Sequence, residues 1–371
     1  MINKDIFTAL NLLEEKGYEA FLVGGAVRNH LLTKTISDYD ITTNADPNAI
    51  KMIFSNYHTY DIGKKLGTII VVINKLKIDI TPYRKESDYA NHRRPETIEF
   101  SNNLKDDLKR RDFTINALCL DKNSNIIDLY KGIDDLNNKV IRCIGNPDQR
   151  FHEDGLRILR ALRFKTKLNF EIEPKTKKSL FKNKDLLNYI SCERKKDELL
   201  QILSCKNCFS TINEYLEIFN TFIPFKHEDR KINNFSNPLY TLAYLLKDNK
   251  INLKKLKYSK EEIELINTLI DVSNIDIEDD YNFICCLSDI NQKHILTYLN
   301  ELHHKNYNDR YNSLHKYMIT INELNIDGNT LQAYGYKDKQ IKQIKNELLD
   351  LVHHKKLHNT SKSLNSYLKK L

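Results

Sequence analysis

Two aspartates, Asp38 and Asp40, stand one residue apart in the run Ser37-Asp38-Tyr39-Asp40-Ile41, flanked by Ile36 and Thr42. The run reads as a strand, and residues i and i+2 of a strand point the same way, so the two carboxylates stand side by side on one face. Like charges this close repel unless a dication lies between them, and hard oxygen ligands suit magnesium. Upstream, the apolar Phe21-Leu22-Val23 forms a short strand that stops at Gly24-Gly25 and runs into a helical segment from about Ala26. Adjacent glycines let the backbone bend and approach a ligand closely, and a helix start offers unpaired N–H groups at a positive dipole end, which suits a phosphate. Arg28, one turn into that helix, adds a forked cation. Strand, glycine pair, helix, strand and Asp-x-Asp all fall within the 23 residues 21–43. No Gly-Lys-Ser/Thr and no G-x-G-x-x-G follows the strand, so neither a P-loop nor a Rossmann fingerprint fits.

Several elements must hold these groups in place. Ile6, Ala9, Leu10 and Leu13 recur at helical spacing, and Gly17 is placed to end that helix. A short helix starts at Ala45-Asp46-Pro47 and reaches about Phe54, and residues 67–73 and 77–81 read as β-branched strands around a tight Asn74-Lys75 turn. Asp79, on the second of these strands, is either a third carboxylate near Asp38 and Asp40 or an exposed strand residue. Residues 82–100 are polar and lack apolar periodicity, which reads as a solvated loop. Residues 106–118 read as a charged helix start entering an apolar segment.

A second stretch, residues 150–164, carries an apolar stripe of Leu156, Leu159 and Phe164, with Glu153, Asp154, Arg157 and Arg160 at i, i+3 and i+4 spacing. Ordinary helix salt bridges give that pattern too. Cytosine and adenine both present an amino donor beside a ring-nitrogen acceptor, whereas guanine and uracil present a carbonyl beside a ring N–H. An Asp acceptor and an Arg donor three residues apart on one helix therefore satisfy C and A and leave G and U with unpaired buried groups.

Beyond Phe164 the chain reads as helical throughout, with joints at Pro174 and Pro224 and a polar linker over 225–238. The pair Cys205 and Cys208 has no second CxxC to complete a zinc site and reads as helical filler. His303-His304 and His353-His354 lack acids at ligand spacing and read as surface polar residues. The chain of 371 residues carries a net charge of +8 and a pI near 8.8, a balance that favours an acidic partner such as nucleic acid and that a lysine-rich genome would also produce. Residues 351–371 hold five lysines, three histidines and no acid, the pattern of either an RNA-backbone footprint or a solvated helical tail. No segment approaches the roughly 20 apolar residues of a membrane span. Seven cysteines without an export signal point to reduced thiols in the cytoplasm.

The segments LVGGAVRNHLL and DYDITTNADP resemble the first signature of nucleotidyltransferases built on the DNA polymerase β-type fold, and in detail those of the tRNA nucleotidyltransferase (CCA-adding enzyme) and bacterial poly(A) polymerase family. RRDFTINAL is similar to that family's second signature, Glu153-Asp154-x-x-Arg157 to its EDxxR signature, and residues 191–198 to its fifth. The resemblance departs at Asn29 and Thr33, where the family usually has Asp and Gly. It implies an α+β fold: a small head with a mixed sheet over residues 1–140, then an all-helical neck (141–205), body (206–320) and tail (321–371).

The resemblance also implies roles. Asp38 and Asp40 are the catalytic, metal-holding pair, with Asp79 a third acid. Gly24, Gly25 and Arg28 cradle the triphosphate, Arg111, Asp112 and Asn116 hold the incoming nucleotide's sugar and phosphates, and Asp154 and Arg157 read the base, with Glu153 orienting Arg157. Arg160 and Arg163 contact triphosphate or pack. Residues 82–100 match a flexible loop that relatives adding only two cytidines have shortened. The implied cofactor is Mg2+ and the partners are CTP, ATP and tRNA, whose elbow the tail would touch. The implied activity is template-independent addition of C, C and A to the tRNA 3′ end. A poly(A) polymerase, a partial CC- or A-adding enzyme and an inactive RNA-binding protein stand as alternatives, and monomer and homodimer both stay open.

Overall fold

The first helix, α1 (Lys4–Glu15), buries Ile6, Ala9, Leu10 and Leu13 along one face and ends before Gly17, whose φ of +84° suits a residue without a side chain. The computed structural model describes residues 2–61, 67–90, 94–228, 235–249, 251–287, 291–314, 319, 321–337 and 339–370, with backbone alone at 86–90 and 94–98. After α1 come β1 (Ala20–Val23), α2 (Gly25–Leu31), β2 (Asp40–Thr43), α3 (Pro47–Ile53), β3 (His58–Asp61), β4 (Ile69–Ile73), β5 (Leu76–Pro82), β6 (Arg84–Ala90) and β7 (Arg94–Phe100). Then follow α4 (Leu104–Lys109), a 3₁₀ turn at Thr114–Asn116, β8 (Leu118–Leu120), β9 (Ile126–Asp128), α5 (Gly132–Asn137) and β10 (Val140–Ile141). The helices α6 (Pro147–Glu153) and α7 (Leu156–Leu168), β11 (Glu171–Ile172), α8 (Pro174–Lys182) and α9 (Cys192–Leu203) come next.

Among the described residues, seven strands form one sheet in the order β3-β4-β5-β2-β1-β8-β9. The β2–β5 pair is parallel and the others antiparallel, so the sheet is mixed. The chain is therefore α+β, with a mixed sheet in its first part and helices after it. Asn74 and Lys75 both take positive φ, 47° and 72°, as a two-residue hairpin turn demands.

Four readings of the sequence need correction. The second strand begins at Asp40, so Asp38 precedes it. β1 stops at Val23, opposite Asp40, and turns away at Gly24, leaving residue 38 no partner strand on that side. Residues 82–100 are not a plain loop, because β6 and β7 pair antiparallel from Arg84↔Phe100 to Ala90↔Arg94, a backbone interaction that requires no apolar alternation. Residues 106–118 do not continue as a helix. α4 ends at Lys109, and the apolar part becomes the 3₁₀ turn and β8. The stretch 150–164 is two helices, broken at Asp154, whose φ/ψ of −144°/105° is extended. Gly155 permits the break: a Cβ there would lie 3.0 Å from the Leu186 carbonyl oxygen. β3, β10 and β11 are too short to announce themselves.

The chain divides into two compact units, Met1–His227 and Glu228–Leu371. The described part of the second contains helices at Pro238–Leu246, Lys260–Ser273, Asp280–Leu287, Gln292–His303, Asn308–Leu314, Gly328–Ala333, Lys339–His353 and Ser361–Leu368. Phe235, Tyr240, Tyr244 and Tyr298 pack together in it, and Leu324, Ile326, Leu331, Leu348, Val352, Leu364 and Leu368 form a separate cluster under the basic last helices. His354 is exposed, as the sequence reading expects, but His353 is not a simple surface group. His353 is half-buried, with Nε2 3.0 Å from the Ile319 carbonyl oxygen, and His354 stacks on Tyr281 with ring centroids 3.7 Å apart. Among the described residues, no helix is long and apolar enough to cross a membrane.

Candidate active site

β1 carries the chain to Gly24, and there it must turn sharply into α2. Gly24 has φ +70°, and a Cβ on it would meet Arg111 Nη1 at 3.3 Å and Asp40 Oδ2 at 3.9 Å. The position is thus closed to a side chain by both conformation and neighbours. Around this turn lies a cavity of about 560 Å³. Its walls bring together Gly24, Gly25 and Arg28 of the first segment, Asp38 and Asp40, then Arg111, Asp112 and Asn116, then Asp154, Arg157, Arg160 and Arg163. Asp79 is not in the lining. It lies one strand over, in register with Asp40 on the parallel β5.

Acidic groups occupy one end. Burial, with Asp79 and Asp38 close by, raises Asp40 above the usual carboxylate range although Arg111 pulls it down, and burial with Asp38 raises Asp79. Carboxylates set this close together repel one another and gain from a bound cation. Hard oxygen donors exposed to an open cavity also fit a magnesium ion, which keeps waters and takes substrate phosphates as further ligands.

Cations occupy the rest. Arg28 is buried, its Nη1 donates to Asn116 Oδ1 at 2.5 Å, and Nε and Nη2 donate to Asn29 Oδ1 at 3.2 and 2.9 Å. Asn29 Nδ2 donates in turn to the Thr35 carbonyl at 3.0 Å, so the amide holds Arg28 and braces the turn after α2. Asn116 Nδ2 donates to Asp112 Oδ1 at 3.0 Å, and Asp112 Oδ2 receives Arg160 Nε and Nη2 at 2.8 and 2.6 Å. Arg28, Arg160 and Arg163 surround the Phe164 ring at 5.0, 5.6 and 4.6 Å from its centroid. Burial, with Arg163 and Arg160 nearby, draws Arg28 down to about 10. Three guanidiniums on one ring, with Asp112 on Arg160 and Glu198 2.8 Å from Arg163, leave an excess of positive charge that attracts a polyanion.

The break between α6 and α7 sets the far wall. Asp154 Oδ1 accepts the Leu156 N–H at 3.1 Å, and the carboxylate receives Arg194 Nη1 and Nη2 at 3.2 and 2.8 Å. Arg157 donates to Glu153 Oε2 at 2.6 Å, to the Arg150 carbonyl at 2.9 Å and to the Arg110 carbonyl at 2.8 Å. Glu153 is itself paired with Arg150. Asp154 and Arg157 thus belong to different elements and face one cavity.

Sequence reading missed Asn29, Arg110, Phe164, Lys167, Arg194 and Gln201 as lining residues. Helical period supplied a usable signal for some of them. Lys167 follows Arg160 and Arg163 on the same face of α7, and Gln201 lies seven residues after Arg194 on α9.

Residues 20–142 match the family model of the Poly A polymerase head domain, and residues 169–224 match that described as the probable RNA and SrmB-binding site of polymerase A. Both matches are to parts of poly(A) polymerase-type nucleotidyltransferases, a head domain followed by helices. The CCA-adding enzyme of Staphylococcus aureus (strain MRSA252) is 37% identical over 272 residues, which cover 71% of this chain and 68% of that one. The chain belongs to the CCA-adding enzyme family. The CCA-adding enzyme of Enterococcus faecalis is 46% identical over 200 residues, 54% of this chain, and the match spans about half of that relative's length, 49%. The crystal structure of Bacillus stearothermophilus CCA-adding enzyme in complex with CTP shares the fold, with a TM-score of 0.75 at 23% identity over 99% of this chain and 96% of that one.

Proposed function

We propose that this protein adds C, C and A to the 3′ end of tRNA without a nucleic-acid template, using CTP and ATP and releasing pyrophosphate. The observation that carries this reading is that one cavity is lined by the carboxylates Asp38 and Asp40, by three guanidiniums around Phe164 and by the Asp154–Arg157 pair. A nucleoside triphosphate has the matching parts: an α-phosphate to meet the metal-holding carboxylates, a polyanionic β,γ tail for the guanidiniums and a base for the Asp–Arg pair. Asp38 and Asp40 are the residues that would hold Mg2+, with Asp79 supporting from the next strand. When bound, Mg2+ supplies Lewis acidity that lowers the pKa of the RNA 3′ hydroxyl and neutralises the departing pyrophosphate.

The remaining work belongs to the protein. Gly24 and Gly25 present backbone close to the triphosphate, and Arg28, Arg111 and Arg163 spread its charge. Asp112 and Asn116, braced by Arg160, face the ribose. Asp154 accepts from the amino group shared by C and A, and Arg157 donates to the adjacent ring nitrogen. In this reading Arg194 holds the Asp154 carboxylate aimed until a base arrives. The head, neck, body and tail divisions at 140, 205 and 320 belong to the same proposal, as do the tRNA contact of the basic tail and action in the cytoplasm.

The test supplies the protein and Mg2+ with a tRNA lacking its last three nucleotides and with labelled CTP, ATP, UTP and GTP, singly and together. Three additions from CTP plus ATP, with UTP and GTP refused, support the proposal. Two cytidines, or one adenosine on a CC-ended tRNA, would make it a partial enzyme. The head-domain match gives a second reading, a poly(A) polymerase, which a long adenosine ladder would establish. No addition at all would favour the RNA-binding reading.

A further inference from the structure

A buried carboxylate outside the cavity wall joins the two ends of the site. Asp107, on α4, has no exposed surface. Its Oδ2 accepts from Thr42 Oγ1 at 3.1 Å and from Arg111 Nη2 at 3.2 Å. Its Oδ1 accepts from Arg110 Nε at 2.9 Å and Nη2 at 2.6 Å. Each partner has a different address. Thr42 follows Asp40 by two residues on β2. Arg111 reaches the Gly24 turn with Nη1 and lies near enough to Asp40 to lower it. Arg110 offers its carbonyl to Arg157.

We infer that Asp107 is a positioning residue that aims Arg111 at the phosphate cradle and locks that guanidinium to the strand bearing Asp40. The inference rests on the proposed function for the ligand's identity, a polyphosphate, and on the geometry for the mechanism. A guanidinium on a flexible stem loses side-chain entropy when a phosphate fixes it, and one already held by a buried carboxylate, itself fixed by Thr42, has lost it beforehand. The hydrogen bonds are charge-assisted, roughly twice as strong as neutral ones, so an amide in the same place would hold Arg111 less firmly.

The test measures binding of inorganic tripolyphosphate to the full chain by calorimetry, beside the transfer assay. Asp107→Asn should weaken tripolyphosphate binding about tenfold, an expectation that follows from halving the strength of the anchoring bonds. In an Arg111→Ala background the same change should have no further effect, because a residue that acts through another is silent once that other is gone. Unchanged affinity in the single variant, or losses that simply add, would overturn the inference. Thr42→Val, which removes one anchoring contact without burying a new charge, serves if Asp107→Asn does not fold. It should weaken tripolyphosphate in the same direction and lose its effect with Arg111→Ala, and equal affinity in Thr42→Val and the parent would again refute the idea. Tripolyphosphate binding without nucleotide transfer would overturn the proposed function and leave the Asp107 comparison decided by affinity. A parent chain that binds no tripolyphosphate would overturn the inference itself.

Discussion

Replacing Arg160 by alanine removes both hydrogen bonds to Asp112 Oδ2 and leaves a carboxylate that is only 7% exposed with its donors on Oδ1, the Asn116 amide and the Phe113 N–H. Burial by itself would raise this carboxyl. Arg160 opposes it most strongly and Asn116 next, so that it falls from its ordinary 3.8 to about 2. At 1.36 kcal/mol for each tenfold change in acidity, this hold is worth about 2 kcal/mol. Loss of the contact between Arg160 and the Phe164 ring, at 5.6 Å, adds about 0.5 kcal/mol. The sum of about 2–3 kcal/mol should lower the Tm of the first unit by roughly 5–10 °C at pH 7, as expected for a cooperative unit of about 230 residues. The sign with pH follows from linkage. A carboxylate depressed in the folded state contributes its stability above its unfolded value near 4, and loses it as pH falls through about 2. Parent and variant should therefore differ most at pH 7 and converge as the pH is lowered from 4 toward 2. Scanning calorimetry at a series of pH values decides it. A Tm within about 1 °C of the parent at pH 7, or a gap that widens in acid, would show that the Arg160–Asp112 pair does not carry this energy.

Three further outcomes are expected. Gly132→Ala places a methyl against the backbone of Thr114, which opens the 3₁₀ turn bearing Asn116, and should cost about 1–3 kcal/mol in a chemical-denaturation midpoint. Asp40→Asn should reduce nucleotide transfer at least about 100-fold while raising the Tm of the metal-free protein at pH 7. A carboxyl raised in the folded state costs stability above its unfolded value, and the amide carries no such cost. A lowered Tm measured in chelator would contradict the sign. Thr33 has φ +52°, a left-handed conformation that a β-branched residue adopts poorly, so Thr33→Gly should stabilise by about 1 kcal/mol in the same denaturation assay, and a loss of stability would refute the strain.

The chemistry was legible because it is local. Gly24, Gly25, Asp38 and Asp40 lie within one strand–turn–helix–strand segment, and the EDxxR stretch is likewise a short run, so spacing together with the family resemblance selected residues that line one cavity. What spacing could not show is pairing across long separations. Arg194 reaches Asp154 from 40 residues away, and Arg160 reaches Asp112 from 48. The i, i+3 pattern over residues 150–164 suggested one helix because nothing local marks the break. The cause is the close approach of Leu186 to Gly155, a tertiary contact. β6 and β7 escaped for a related reason: their pairing is made by backbone, and composition reports side chains.

The 48-residue separation of Asp112 from Arg160 also orders events during synthesis. A nascent chain that has emerged only as far as residue 140 owns all seven strands of the main sheet, the glycine turn and both aspartates of the Asp-x-Asp pair, but none of α7. In that state Asp112 would have to be buried without its countercharge, or stay wet, and Phe113 would lack the Phe164 ring that meets it edge-on at 5.7 Å. The head therefore should reach its full stability only after α7 has joined it, which a lower denaturation midpoint of a fragment ending at residue 140 would test. Such a fragment should be an incomplete protein that exposes this seam to aggregation and proteolysis.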